Sequence, residues 1–130
     1  MIPDELEPLW NEGDAAFAGA PALFRGGSFE DIRDAFAAGN VVVHQEDGRP
    51  VGFATIVFTI GDHVGIGNLV VLKEFRGRGI ASKLMEEAHE LAREKGAKHS
   101  LMCIWDGGTL PDFYQKAGYQ PIGVVMSREL

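Results

Sequence analysis

Phe75-Arg76-Gly77-Arg78-Gly79-Ile80-Ala81-Ser82-Lys83 follows directly on the apolar run Leu69-Val70-Val71-Leu72 and stands directly before a long amphipathic pattern. A strand ends, two glycines open a tight turn, and a helix begins with its first backbone N–H groups uncovered. Those orphan donors and the positive end of the helix dipole point the same way, which makes the terminus a site for an anion. Glycine matters because a bulky phosphate approaches the backbone only where no Cβ intervenes. Arg76, Arg78 and Lys83 add positive charge at the same place. In isolation, a basic glycine-rich connection with no ligand would look alike. The stretch is not a P-loop, which needs Gly-Lys-Ser/Thr at the helix start. It is not a dinucleotide fingerprint either, because no third glycine follows Gly77 and Gly79 at the required spacing.

Upstream of the turn, Val41 to His44 reads as a strand, followed by a turn through Glu46-Asp47-Gly48-Arg49-Pro50. Val51 to Ile60 is rich in β-branched and aromatic residues, Gly61-Asp62 is a hairpin turn, and Val64 to Val71 pairs back. The three strands form an antiparallel meander that delivers the chain to the glycine turn. Downstream, Ile80, Ala81, Leu84, Met85, Ala88, Leu91 and Ala92 recur at helical spacing, predicting a helix from Gly79 to Lys95 that Gly96 ends. Lys98 to Trp105 is a further strand and Pro111 to Ala117 a short helix. Tyr119 to Met126 is a last strand, interrupted at Pro121 and Gly123. Before residue 40 the pattern is weaker. Glu5 to Phe17 predicts one or two helical turns broken at Gly13, and Ser28-Phe29-Glu30-Asp31 carries a capping pattern ahead of a helix ending at Gly39-Asn40.

The chain has 130 residues, the size of one domain. Its composition, 45% hydrophobic and 24% charged, is that of an ordinary globular protein, and no apolar run approaches the roughly 20 residues of a membrane helix. The acidic start Met1-Ile2-Pro3-Asp4-Glu5 is unlike a signal peptide, and the single cysteine, Cys103, permits no internal disulfide. Both suit the cytoplasm. A net charge of −7 argues against nucleic acid as a partner, yet three local cations prevail over charges screened beyond about 8 Å.

The order of meander, basic glycine turn, long helix, strand and a short helix bearing Phe113-Tyr114-Gln115-Lys116-Ala117-Gly118-Tyr119 resembles the GNAT-type N-acetyltransferase family. Its signature, Arg/Gln-x-x-Gly-x-Gly/Ala, is matched by Arg76, Gly79 and Ala81. Its aromatic-Tyr-x-Lys-x-Gly-aromatic block is matched by Phe113, Tyr114, Lys116, Gly118 and Tyr119. The resemblance covers roughly residues 40 to 126. It implies an α/β fold with a mixed sheet: a meander, then a β-α-β core with splayed central strands and helices on both faces. It implies one domain over 1–130, with a helical acceptor side at 1–39 and an acetyl-coenzyme-A-binding core at 40–126.

The resemblance also implies a function, transfer of acetyl from acetyl-coenzyme A to a primary amine on a small molecule or a peptide. The pyrophosphate would lie on the backbone of Arg76, Gly77, Arg78, Gly79, Ile80, Ala81 and Ser82, with Lys116 nearby. The pantetheine arm would lie along Leu69, Val70 and Val71 like an added strand. Tyr114 would be the general acid for the departing thiolate, since tyrosine, with an unperturbed pKa of about 10, is protonated at neutral pH. Where many relatives carry a glutamate base, this chain has Gly67 and Asn68. His63 at the start of that strand is the candidate base, with a chain of ordered waters as the alternative.

A coenzyme-A-binding module without transfer, acting as sensor or assembly partner, is the competing reading, and a longer acyl group stays open. The relatives' first strand is missing at the N-terminus, very short, or donated by another subunit. The last strand at Val124-Val125-Met126 offers a route to a homodimer. Cys103 reads as a small buried hydrophobe. Trp10, Trp105, Phe24 and Phe29 read mostly as core. Glu30 and Asp31 are placed to face a cationic amine. His44, His63, His89 and His99 show no metal-ligand spacing, so no metal is expected.

Overall fold

The computed structural model describes residues 1–16, 27–103 and 112–130. A 3₁₀ turn at Pro3–Leu6 runs into helix α1, Glu7–Ala16, and α2 spans Phe29–Ala37. The meander follows as β1 Val41–Glu46, β2 Arg49–Phe58 and β3 His63–Val71. A second 3₁₀ turn at Lys73–Phe75 leads through the glycines into α3, Ile80–Glu94. Strand β4, His99–Leu101, and helix α4, Asp112–Lys116, complete the regular structure of the described residues. None of these helices is long and apolar enough to cross a membrane.

The sheet has the order β1-β2-β3-β4, antiparallel at its first two junctions and parallel between β3 and β4. It is a mixed α/β sheet with helices on both faces, and register shows why. Gly52 and Phe53 are neighbours on β2 and so point to opposite faces. A Cβ on Gly52 would stand 2.9 Å from Leu84 Cδ1, so that face lies against α3. Phe53 pairs with Val70, and a Cβ on Gly13 would stand 2.7 Å from Val70 Cγ2, so the other face lies against α1. Phe53, Ile56, Leu84, Val51 and Val64 are almost fully buried in the resulting core. Burying each such side chain contributes on the order of 1.5–3 kcal/mol.

Three sequence expectations need correction. Gly13 does not break α1; it lies inside the helix because only a residue without a side chain lets α1 come so close to Val70. The strand expected at Lys98–Trp105 is reduced to three residues within the described chain, Trp105 lying outside it. The last strand, Tyr119–Met126, does not form: residues 119–130 carry no regular structure, and Ile122, Val124 and Met126 are each more than 80% exposed. Pro121 lacks a donor for a ladder and Gly123 lacks a side chain to pack, so the segment forms no stable pair with three-residue β4. No strand precedes β1 among the described residues, where 3–16 are helical. Phe24 and Pro111 lie outside them.

Candidate functional site

Among the described residues, strand β3 begins between two neighbours and ends with one. Its pairing with β4 there covers His63, Val64 and Gly65, whose partners are His99, Ser100 and Leu101. Its pairing with β2 continues to Val71. Between these stretches lies a bulge: Thr55 pairs with Asn68 but Ile56 pairs with Ile66, so Gly67 is the extra residue. A Cβ there would stand 2.7 Å from Thr55 Oγ1, which donates to Asn68 Oδ1 at 3.0 Å. The bulge falls just past the last residue paired with β4, and a cleft lies from there between β3 and Leu101 to Cys103.

Backbone groups line that cleft. Leu72 N–H donates to Val51 across the β2 side, whereas the Val71 carbonyl accepts from Arg76 Nε on the opposite side at 2.9 Å. Because N–H and C=O directions alternate along a strand, Leu69 and Val71 both turn their backbone to the open edge. The cavity measures about 660 Å³ and is bounded by Trp10 and Gly13 of α1, Gly65 to Val71 of β3, Arg76, Ala81, Leu101 to Cys103, Phe113 and Tyr114. That volume is in the range of sites for small organic ligands, about 300–1,000 Å³.

The cleft opens toward the glycine turn. Gly77 and Gly79 have φ of +79° and +78°, a left-handed backbone natural to glycine, and a Cβ on either would meet no protein atom within 4 Å. Among the described residues, none of the N–H groups from Gly77 to Ser82 has a protein acceptor; the first helical bond is Lys83 N–H to the Gly79 carbonyl at 3.1 Å. Arg78 lies over the Phe75 ring at 5.1 Å, and Lys83 stands 4.0 Å from Glu87. Arg76 does more than supply charge. It ties the turn to Val71, and with Lys73 N–H it meets Glu12 of α1, at 3.5 and 3.1 Å. The space above the glycines, the free N–H row and the surrounding cations fit a diphosphate.

Tyr114 projects from α4 into the same cleft, half-buried, and burial pushes its pKa above the ordinary tyrosine value. Its ring meets Phe113 at 5.1 Å and Tyr119 at 6.4 Å, both edge-on. Tyr119 is anchored in turn: its hydroxyl bonds His89 Nε2 at 2.7 Å and also the Ser100 hydroxyl. Burial pushes the His89 pKa down. These contacts fasten the segment carrying Tyr114 to both α3 and β4.

The structure therefore gathers Tyr114, Leu69, Val70, Val71, Arg76 and Ala81 around one cavity, with Gly77 to Ser82 leading into it. Ile80 is buried in the core, so its backbone alone faces the turn. Lys116 is exposed on α4 and is not part of the cavity wall. His63 is outside it too. It lies at the paired end of β3, 3.0 Å from Asp62 and stacked on His99. Cys103 is exposed and lines the cleft, a correction to its expected burial: β4 ends at Leu101, before it.

A second, shallower cavity of about 550 Å³ shares Trp10, Gly67 and Asn68 with the first and is bordered by Asp31 and Asp34 of α2. Glu30 is turned away to Arg33, at 2.8 Å. Sequence reasoning missed Asn68 as a polar group joining the two cavities, and Asp14 as a carboxylate on the cleft wall. Gly13 was the available signal for Asp14, had it been read as a contact point instead of a break.

The comparisons with known proteins agree with this architecture. A family model described as an acetyltransferase (GNAT) domain matches residues 37–121. The chain is 43% identical over 75 residues to an uncharacterised N-acetyltransferase of Archaeoglobus fulgidus, covering 53% of this chain and 50% of that protein. It spans about half the length of the curated relatives it matches. A solved GCN5-related N-acetyltransferase from Ralstonia eutropha superposes with a TM-score of 0.70 at 25% identity, covering 100% of this chain and 95% of that one. A Mycobacterium tuberculosis protein solved in complex with CoA has the same fold, with a TM-score of 0.73 at 15% identity over 93% of this chain and 69% of that one. With the glycine turn, the bulged and splayed strand and the matched model covering most of its length, this chain belongs to the GNAT acetyltransferase family.

Proposed function

We propose that the protein transfers an acetyl group from acetyl-coenzyme A directly to a primary amine. The observation that carries the reading is convergence: the β3 edge at Leu69 and Val71 that faces away from β2, the turn with the free N–H row of Gly77 to Ser82, and Tyr114 all border one cavity. The turn holds the pyrophosphate, with Arg76 and Arg78 beside it. The pantetheine amides pair with the β3 edge, and the relative solved with CoA supports a coenzyme A ligand.

In this reading a backbone N–H of Leu69 or Val71 donates to the thioester carbonyl and stabilises negative charge as the amine attacks, a contribution of about 3–4 kcal/mol for one good donor. Tyr114 gives its phenolic proton to the departing sulfur. Its raised pKa keeps it protonated throughout the physiological range. The amine nitrogen must lose a proton, and His63 is turned to Asp62 at the far end of the strand. We therefore assign that step to solvent in the open cleft. The amine enters from the second cavity, where Asp31 and Asp34 favour a cationic acceptor.

The test is thiol release from acetyl-coenzyme A over a panel of polyamines, amino acids and peptides. Turnover on at least one amine is expected, with Tyr114→Phe lowering kcat about 10²-fold while leaving KM for acetyl-coenzyme A within about twofold. Full turnover in Tyr114→Phe removes the acid assignment. One observation favours the second reading, a coenzyme-A-binding module without transfer. Neither Gly67 nor Asn68 is a carboxylate, and the Asn68 Oδ1 is occupied by Thr55. Stabilisation by acetyl-coenzyme A with no release on any amine would select it.

A further inference from the structure

Asp62, His63 and His99 form a cluster that acetyl transfer does not use. His63 and His99 stand 36 positions apart in the chain, but β3 and β4 pair in parallel with these two residues in register. Their rings stack at 4.6 Å, inclined by only 16°. Both Nδ1 atoms turn to the same carboxylate oxygen, Asp62 Oδ1, at 3.0 Å from His63 and 3.3 Å from His99.

The backbone holds this arrangement. Lys98 and His99 N–H both donate to the Asp62 carbonyl, at 2.8 and 3.3 Å, and the His63 carbonyl accepts from Thr59 N–H and Thr59 Oγ1, both at 3.1 Å. One hairpin turn and the first residues of two strands thus bring three donors within 4.8 Å of one another. Two ligands about 2.1 Å from a tetrahedral ion stand about 3.4 Å apart, close to the two Nδ1···Oδ1 separations here. To aim both in-plane lone pairs at one ion the stacked rings must turn out of parallel by tens of degrees, which these partly exposed side chains have room to do.

We propose that Asp62, His63 and His99 bind a late first-row divalent cation of the Zn²⁺ type, with water completing its coordination. Two imidazoles and one carboxylate suit Zn²⁺, Ni²⁺ or Cu²⁺ and not Mg²⁺ or Ca²⁺, which take mostly oxygen ligands. On binding, each neutral imidazole carries its proton on Nε2 and gives its Nδ1 lone pair to the ion, replacing the His99 hydrogen bond to Asp62 and the close His63 contact with it. The neighbouring Lys98 ammonium opposes the ion and weakens its binding. Because His63 begins β3 and His99 begins β4, the ion fastens the paired end of the splay.

Equilibrium dialysis of the tag-free protein against Zn²⁺ alone tests this. The expected result is uptake of one equivalent, a rise in unfolding temperature with Zn²⁺, and no displacement by millimolar Mg²⁺. His63→Gln and His99→Gln should each weaken uptake at least tenfold. His44→Gln, on β1 beside Glu46, should leave it unchanged. His99 is exposed, so its variant is expected to fold, and far-UV circular dichroism verifies that. Failure of the wild-type protein to take up one equivalent, or uptake by folded His99→Gln equal to wild type, overturns the proposal.

Discussion

The two halves of β3 share one strand and one neighbour, β2, yet differ in what they can bind. From His63 to Gly65 both edges are hydrogen-bonded, and side chains such as His63 offer the only chemistry. From Leu69 to Val71 one edge has no strand partner among the described residues, only the Arg76 side chain on the Val71 carbonyl, and the backbone becomes the reactive surface. The boundary is a single extra residue, Gly67. A strand therefore becomes a ligand site through the loss of a partner as much as through the gain of a side chain. In this chain the pairing with β4 ends with β4 itself at Leu101, and a bulge stands two to four residues before Leu69 and Val71.

The most direct way to break this contrast is at the boundary. In Gly67→Val the new Cβ would lie 2.7 Å from Thr55 Oγ1 and 3.0 Å from Val57 Cγ2. Thr55 is 2% exposed and bonded to Asn68, so moving it strands a buried hydroxyl as well as crowding the sheet. A destabilisation of about 2–3 kcal/mol is expected from overpacking and the lost hydrogen bond, read by denaturant unfolding. Acetyl-coenzyme A should bind at least tenfold more weakly. A variant as stable as wild type, with unchanged affinity, would mean that the bulge does not define the cleft.

The open half can be sharpened from behind. Gly13 lets α1 rest on Val70, and Gly13→Ala sets two effects against each other. Alanine improves helix propensity by about 1 kcal/mol, while its Cβ would crowd Val70 Cγ2 at 2.7 Å. Val70 is almost fully buried and has little room to turn, so the clash is expected to win. The predicted net loss is about 1 kcal/mol, about 4 °C in Tm for a domain of this size. In a Val70→Ala background the clash is gone and Gly13→Ala should instead stabilise. The same sign in both backgrounds would show that Val70 does not enforce the glycine.

How far these features could be read from sequence follows from their range. The turn at Arg76–Lys83, the helix after it and the hairpin at Gly61-Asp62 carry local signals: glycines where φ is positive, apolar residues at helical spacing, β-branched runs. Those elements agree with the structure to within one or two residues at most of their ends. What was lost depends on contacts between distant residues. Gly13 looks like a breaker until Val70 is placed against it. His63 and His99 lack ligand spacing in sequence because a parallel pairing, not a local motif, brings them together. Tyr119–Met126 has strand composition, but a strand needs a partner, and composition does not provide one.

The smallest effect concerns the paired half, where His89 and Ser100 hold Tyr119 and through it the segment bearing Tyr114. Burial lowers the His89 pKa, Arg93 lowers it further, and Glu86 opposes them. A histidine whose folded pKa lies below its unfolded value contributes stability that is complete above the unfolded pKa of about 6.5 and is lost as pH falls through the folded value, because the unfolded chain takes the proton first. Thermal unfolding between pH 7.5 and 5 should therefore fall more steeply for wild type than for His89→Gln, which keeps a hydrogen-bonding side chain near Tyr119 but does not titrate. Half-burial keeps the difference small, and it should appear only below neutrality. Parallel profiles would show that His89 is neutral in neither state or in both alike, and that the Tyr119 anchor does not respond to acid. A steeper wild-type profile would locate a pH-sensitive fastening at the closed end of the splay.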